Sequence, residues 1–281
     1  MNAHNALPRW SDLSHLDDNA VPLVETALLI ARDEYPHLDV AEYGSRIASH
    51  VTAISNELPA ASTLAQSLSA INRHLFEDVG YAGNHDDYFD PRNSYLNEVI
   101  ERRLGIPITL ALIQMEVARR IGVAIDGVSF PGHFLVRVAT NDGLIVLDPF
   151  NRGRPLAAEE LRQRASEHLG GVMPDDGQLL NVLEPASHRA IATRMLHNLK
   201  AVYAEREEWD RVARTCDRVL CLSPDRADDL RDRGMAYLQL GHAAGARADL
   251  ARYLAMNPSA EDSERVRNAL VEANINVTRL S

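Results

Sequence analysis

Apolar residues recur at helical spacing three times between residues 18 and 80: in "NAVPLVETALLIARDEY", which ends near Pro36, in "VAEYGSRIASHVTAISNEL" and in "ASTLAQSLSAINRHLFEDV". A turn-rich stretch, "GYAGNHDDYFDPRNS", breaks the period. "SYLNEVIERRLG" then predicts a short helix with Ser94 as N-cap and Gly105 just past its end. From Pro107 to Ile121, "PITLALIQMEVARRI" is apolar almost all round, and Gly122 follows it. A helix without a polar face belongs in the middle of a domain. The pattern then turns strand-like in "VAIDGVSF", "HFLVRVA" and "LIVLDPF", and returns to helix in "GRPLAAEELRQRA". Helices, a sheet and helices again predict an α+β domain over residues 1–185.

Residues 186–281 carry no strand signal and contain a repeat. "NLKAVYAEREEWDRVARTCDRVLCLSP" lies over "DRGMAYLQLGHAAGARADLARYLAMNP" without a gap, with Tyr203 and Tyr237, and Pro224 and Pro258, each 34 apart. That period belongs to the all-α tetratricopeptide hairpin. Leu196, Leu199, Tyr203 and Pro224 fit its pattern in the first copy; Leu230, Gly234, Tyr237, Ala246 and Pro258 fit it in the second. Lys200 stands where glycine is usual and Cys216 where an aromatic is usual, so Cys216 reads as a small core residue. "EDSERVRNALVEA" predicts a capping helix. Two repeats are few for a free-standing solenoid, so they are expected to pack against the α+β domain. Either they complete the fold or their concave face holds a peptide from a partner.

Charge and cysteine content remove several function classes. The chain has a formal net charge of -11 and a pI near 5.4. Its nearest basic clusters, Arg102-Arg103 and Arg119-Arg120, are pairs rather than a stripe, so no nucleic acid is expected. The stretch "MNAHNALPRWSDL" lacks the cationic start and apolar run of a secretory signal, and the longest apolar runs are too short or too charged to span a bilayer. Cys216 and Cys221 are five apart and point to different faces of a helix, which fits a reducing, cytoplasmic setting without a disulfide or shared metal. In "HDDYFD", His85, Asp86, Asp87 and Asp90 lack the spacing of a calcium loop and read as a solvated acidic turn. No metal and no cofactor is expected.

The candidate chemistry lies in "PGHFLVRVATNDGLIVLDPF", residues 131 to 150. A two- or four-residue turn at Asn141–Gly143 makes paired residue numbers sum to an odd value. His133 and Asp148 then fall on one face as opposed or diagonal neighbours, where a carboxylate can orient an imidazole. The plainer reading is a half-buried histidine with local hydrogen bonds and an aspartate that starts the turn at "DPF". In a papain-like or transglutaminase-like arrangement, which this pair resembles, the nucleophile sits at the amino end of a buried helix facing the sheet, where the dipole and free N–H groups lower a thiol pKa.

The run Gly105 to Asp148 resembles the core of the transglutaminase-like superfamily. Laid on that pattern, Ala111, Arg119, Gly122 and Val123 fall on family positions, and His133 and Asp148 on two triad positions. "NSYLNEVIERRLGIPITL" and "PGHFLVRV" are similar to signature stretches of bacterial SirB-type proteins, which join this core to tetratricopeptide repeats. The resemblance covers roughly residues 20 to 260 and implies a cysteine-protease-type architecture for the α+β domain. Its nucleophile position, however, is Pro107, and no cysteine precedes residue 216. Proline suits a first helical turn but offers neither a nucleophile nor an N–H. The expectation is a non-catalytic protein that binds a protein or peptide through the cleft and the repeat face. His133 and Asp148 are then a vestigial pair, and Asn93, Ser94, Asn97, Pro107 and Thr109 line the cleft. The rival is a hydrolase or acyl-transfer enzyme in which Thr109, Ser94 or a water attacks, with His133 as base and Asp148 as orienter.

Overall fold

A computed structural model describes residues 7–280, with side chains as far as residue 275. Part of the stretch read for a secretory signal, residues 1–6, lies outside the described residues. The chain divides into two compact units, one of Asp18–Met195 and one of Arg9–Asp17 with the chain from Leu196 onward. The division thus falls ten residues after the expected 185/186 boundary, inside a helix, and a short N-terminal segment belongs with the second unit. That segment holds α1 (Trp10–Leu13), and the Arg218 guanidinium lies over the Trp10 ring at 5.4 Å.

In the first unit, α2 (Leu23–Arg32), α3 (Val40–Glu57) and α4 (Leu64–Asn72) occupy the three periodic runs. Asp39 caps α3 by accepting from Ala41 N at 2.9 Å. Thr63 and Gln66 cap α4 reciprocally, at 3.2 and 2.8 Å. The third run does not stay α-helical: Arg73–Asp78 form a π-helical turn carrying His74, whose Nε2 lies 3.1 Å from His50 Nδ1. β1 (Ala82–Gly83) and β2 (Leu104–Gly105) pair in parallel, with a 3-10 turn, Pro91–Ser94, and α5 (Leu96–Arg102) between them. Ser94 ends that turn and does not cap α5, whose N-cap is Tyr95. The left-handed residue closing α5 is Arg103, at φ 60°, rather than Gly105. Gly105 lies in β2, paired with Gly83, and a Cβ there would lie 2.8 Å from Thr109 Oγ1.

α6 (Pro107–Arg120) is the sunken helix that its composition predicts. Only Glu116, Arg119 and Arg120 are not buried. Gly122, at φ 85°, lets Val123 N return to Ala118 O at 2.9 Å and stops the helix. β3 (Asp126–Val128), β4 (Leu135–Thr140), β5 (Gly143–Asp148) and β6 (Arg154–Pro155) form one antiparallel sheet in that order. Val128, Leu135 and Val146 share a core cluster with Leu161 and Ala165 of α7 (Ala158–His168) and Leu179 of α8 (Asp176–Val182).

α9 (His188–Glu205) crosses the division. Its first half belongs to the sheet: a Cβ on Gly127 would approach Ile191 Cδ1 to 3.0 Å. Its second half, with α10 (Trp209–Leu222), makes the first repeat hairpin; α11 (Ala227–Gln239) and α12 (Ala243–Met256) make the second, and α13 (Ser263–Leu280) follows. The two departures from the repeat pattern explain each other. In the second copy, Gly234 lies against fully buried Leu250, where a Cβ would come within 2.8 Å. In the first, the matching pair is Lys200 and Cys216. A larger residue faces a smaller one, and burial pushes the Cys216 thiol up to about 12. Lys200 Nζ is hydrogen-bonded to Asp229 at 2.7 Å and Asp232 at 2.8 Å. Fully buried Asp229 also accepts from His197 at 3.0 Å.

Burial alone would raise the Asp229 pKa, but the His197 and Lys200 bonds hold it down to about 2. A carboxylate depressed on folding stabilises the fold above its ordinary value of 3.8, and that contribution drains away as pH falls toward about 2. Asp229→Asn is expected to lower stability at neutral pH by about 3 kcal/mol and to flatten the acid limb in that window. Urea unfolding across pH 2–7 measures both.

Candidate functional site

His133 is delivered by a tight turn rather than by a strand. His133 N donates to Phe130 O at 3.1 Å across Pro131-Gly132, with Gly132 at φ 66°. Proline then glycine with positive φ is the arrangement of a type II turn. A Cβ on Gly132 would meet only the ring of exposed His168, which can move aside, so it is the positive φ that calls for glycine. Across the β4–β5 hairpin, Thr140 pairs with Gly143 and Val136 with Leu147, a two-residue turn with odd sums. His133 lies just ahead of β4 and Asp148 ends β5, which makes them the diagonal neighbours that the parity argument requires. His133 Nε2 lies 2.9 Å from Asp148 Oδ1. Because the carboxylate accepts, Nε2 carries the proton in this bond.

Asp148 is fully buried and takes five hydrogen bonds. Oδ1 accepts from His133, from Phe150 N at 3.2 Å and from Asn151 N at 3.4 Å. Oδ2 accepts from Asn151 Nδ2 at 2.7 Å and Arg164 Nη1 at 3.1 Å. Burial works against its charge, yet His133, Asn151 and Arg164 together hold its pKa far below the usual carboxylate range. The two sequence readings of this aspartate are therefore both realised: it starts the Pro149–Asn151 turn and it orients the histidine.

Phe150 links this pair to the amino end of α6. Its ring fills the space a Cβ on Gly83 would need, 2.5 Å away, and Gly83 pairs with Gly105, two residues before Pro107. The same ring meets His133 edge-on at 5.9 Å, His85 at 4.5 Å and Tyr88 at 5.9 Å. Tyr88 and Phe89 project to solvent, 41% and 69% exposed, while the His133 side chain is 19% exposed. His85 is thus a stacking residue, and Asp90 caps its own turn and pairs with Arg92 at 2.7 Å. Among the described residues no three His, Cys, Asp or Glu side chains converge as metal ligands.

The residues expected to line the cleft lie behind it. Asn93, Ser94, Asn97, Pro107 and Thr109 are all buried. Asn93 Nδ2 donates to Asp87 O at 2.7 Å and Tyr88 O at 3.2 Å, and its Oδ1 accepts from Asn84 at 3.0 Å, so it fixes the aromatic loop from inside. Thr109 Oγ1 donates to Asn93 O at 2.8 Å and accepts from Ile106 N at 3.1 Å. That corrects its place as a cleft-lining residue: a single hydroxyl proton committed to a backbone carbonyl serves the loop. Asn97 Oδ1 is buried with no hydrogen-bond partner among the described residues.

Sequence reasoning missed Arg164, Asn151, Phe150 and Arg194. "DPFN" carries the signal for Asn151, since aspartate before a proline turn recruits nearby donors. Arg164 looked like an ordinary charge of an amphipathic helix. Arg194 sits in α9, where Nη2 donates to His133 O at 2.6 Å.

A sheet whose His–Asp pair is tied to a buried helix, followed by hairpins repeating every 34 residues, defines a transglutaminase-like domain joined to tetratricopeptide repeats. The family model for the transglutaminase-like superfamily matches residues 41–197 and that for the tetratricopeptide repeat matches residues 199–271. The chain is 56% identical over 266 residues to a UPF0162 protein of Xylella fastidiosa (strain 9a5c), covering 95% of each. A UPF0162 protein of Pseudomonas aeruginosa is 31% identical over 265 residues, 94% of this chain and 96% of that one. F-box only protein 21 of Mus musculus is 31% identical over 189 residues, 63% of this chain and 28% of that protein. The chain belongs to the transglutaminase-like superfamily and, with the Xylella and Pseudomonas relatives, to the UPF0162 family.

Removing the Asp148 carboxylate strands several buried donors. Asp148→Ala is expected to cost about 3–5 kcal/mol, whereas His133→Ala, which leaves the carboxylate its other donors, costs about 1 kcal/mol. Urea denaturation of both variants at pH 7 gives the comparison.

Proposed function

We propose that the protein is a non-catalytic transglutaminase-like protein that binds a peptide or protein partner in the cytoplasm. The aromatic cleft beside His133 is one contact surface and the repeat face is a second. The observation that carries this reading is Pro107. The residue opening the helix toward which the pair is built has no nucleophilic atom, and its neighbour Thr109 is bonded to Asn93 O and Ile106 N. His133 and Asp148 act as a retained hydrogen-bonded pair that shapes the cleft. Asn93, Ser94, Asn97, Pro107 and Thr109 form the buried layer behind it, in which Asn93 and Thr109 brace the aromatic loop. Exposed Tyr88 and Phe89 supply the apolar contact a peptide needs. Among the described residues no helix is long and apolar enough to cross a membrane. The spacing of Cys216 and Cys221 supports a reducing compartment.

The intact His133–Asp148 pair also favours a second reading, in which His133 acts as base toward a water or hydroxyl. The purified full-length protein is expected to show no turnover of amide, ester or γ-glutamyl substrates, and His133→Ala is expected to retain any captured partner with less than about a fivefold change in affinity. A substrate turned over by the wild type and not by His133→Ala would replace binding with catalysis.

A further inference from the structure

We propose that Arg194 anchors a carboxylate subsite beside His133, one that seats the carboxylate of a peptide ligand against the aromatic rim. This deepens the peptide-binding reading and rests on it.

Arg194 lies in the first half of α9, in the same unit as the site, and is half-buried. Its guanidinium donates only to backbone carbonyls: Nη1 and Nη2 to Phe130 O at 3.3 and 3.4 Å, and Nη2 to His133 O at 2.6 Å. It stacks over the Phe134 ring at 5.5 Å. Among the described residues it has no carboxylate partner. Other half-buried cations do: Arg164 has Asp148 and Glu160, Arg233 has Asp249 and Asp217, and Lys200 has Asp229 and Asp232. In a chain with 40 acidic and 29 basic side chains, partners were abundant, yet the cation at the carbonyl of the site histidine is neutralised only by neutral dipoles. Burial accordingly works against its charge. A cation removed from water without a counter-ion gains most from an incoming anion.

The surroundings select the kind of anion. Tyr88 is close enough that the Arg194 charge favours its phenolate against the opposing effect of burial. The exposed rings of Tyr88 and Phe89 pack edge-to-face at 5.3 Å, an apolar shelf for the group next to the charge. Asp86 and Asp87 on the same loop are exposed and repel excess negative charge. A single planar guanidinium suits a monoanion held by a fork of N–H groups, as a carboxylate is. A phosphate dianion calls for more than one cation.

Two sources present that group, a peptide's C-terminal carboxylate and an acidic side chain. The test follows the Arg194 Nε–H and His133 ring signals of the full-length protein by NMR during titration. The probes are N-acetylphenylalanine, its amide, the α-amide of N-acetylglutamate and inorganic phosphate. Shifts of Arg194 and His133 with either carboxylate, and none with the phenylalanine amide, support the subsite, and the tighter carboxylate names the source. Arg194→Gln is expected to weaken the tighter carboxylate at least about tenfold, with Arg247→Gln as an unaffected surface control. Because Arg194 also pins a turn, the acid-against-amide contrast on wild-type protein stands independently of that variant's folding. Equal responses to acid and amide, no response of Arg194, or a larger response to phosphate would each overturn the proposal. If a captured partner binds Arg194→Gln as well as wild type, the subsite fails and the binding reading stands; if carboxylates bind and no partner is retained, the reverse holds.

Discussion

A buried carboxylate with a full set of donors governs the first unit. Asp148 draws to one point the end of β5, the turn after it, a side chain of α7 and the ring presented by the turn before β4. Each of these segments is short and would have several conformations alone. Taking an ionised group out of water is costly, and the cost is offset only when every lone pair is met. That requirement removes the freedom of the four segments together. The histidine's orientation follows from a structural demand, and it survives whether or not chemistry is performed. A geometry that looks catalytic is therefore weak evidence of catalysis here.

Features set by local periodicity were legible in the sequence. The sunken helix announced itself by lacking a polar face, and a two- or four-residue turn, as the hairpin has, puts His133 and Asp148 on one face. The repeat was legible because its two copies align without a gap. Features set by tertiary demand were not legible. Nothing local distinguishes Arg164 or Arg194 from other arginines on amphipathic helices, since what selects them is a carboxylate and a carbonyl brought close by the fold. The left-handed Arg103 and the π-helical turn at Arg73–Asp78 lack glycine or proline signals of their own. The unit boundary was misplaced because one helix serves both units, so its periodicity runs on through the division.

The second unit shows how a repeat absorbs an exception. Lys200 in place of glycine is accompanied by Cys216 in place of a larger residue, and the cation is satisfied by two acids of the next hairpin. Volume is exchanged across one helix contact and charge across the next. The first hairpin is thereby bound to the second by buried ionic bonds as well as by packing, which stiffens the junction that a two-repeat array has least means to hold.

The two-residue turn at Asn141-Asp142 carries a further consequence for how this family can diversify. What holds the imidazole and the acid on one surface of the sheet is the pairing of β4 with β5, Thr140 opposite Gly143 and Val136 opposite Leu147. A residue added between Thr140 and Gly143 lengthens the loop and leaves that pairing in place, since longer hairpin loops are common. The exposed tip is therefore open to insertion, whereas a slip of one residue in the pairing itself would carry the acid to the other surface.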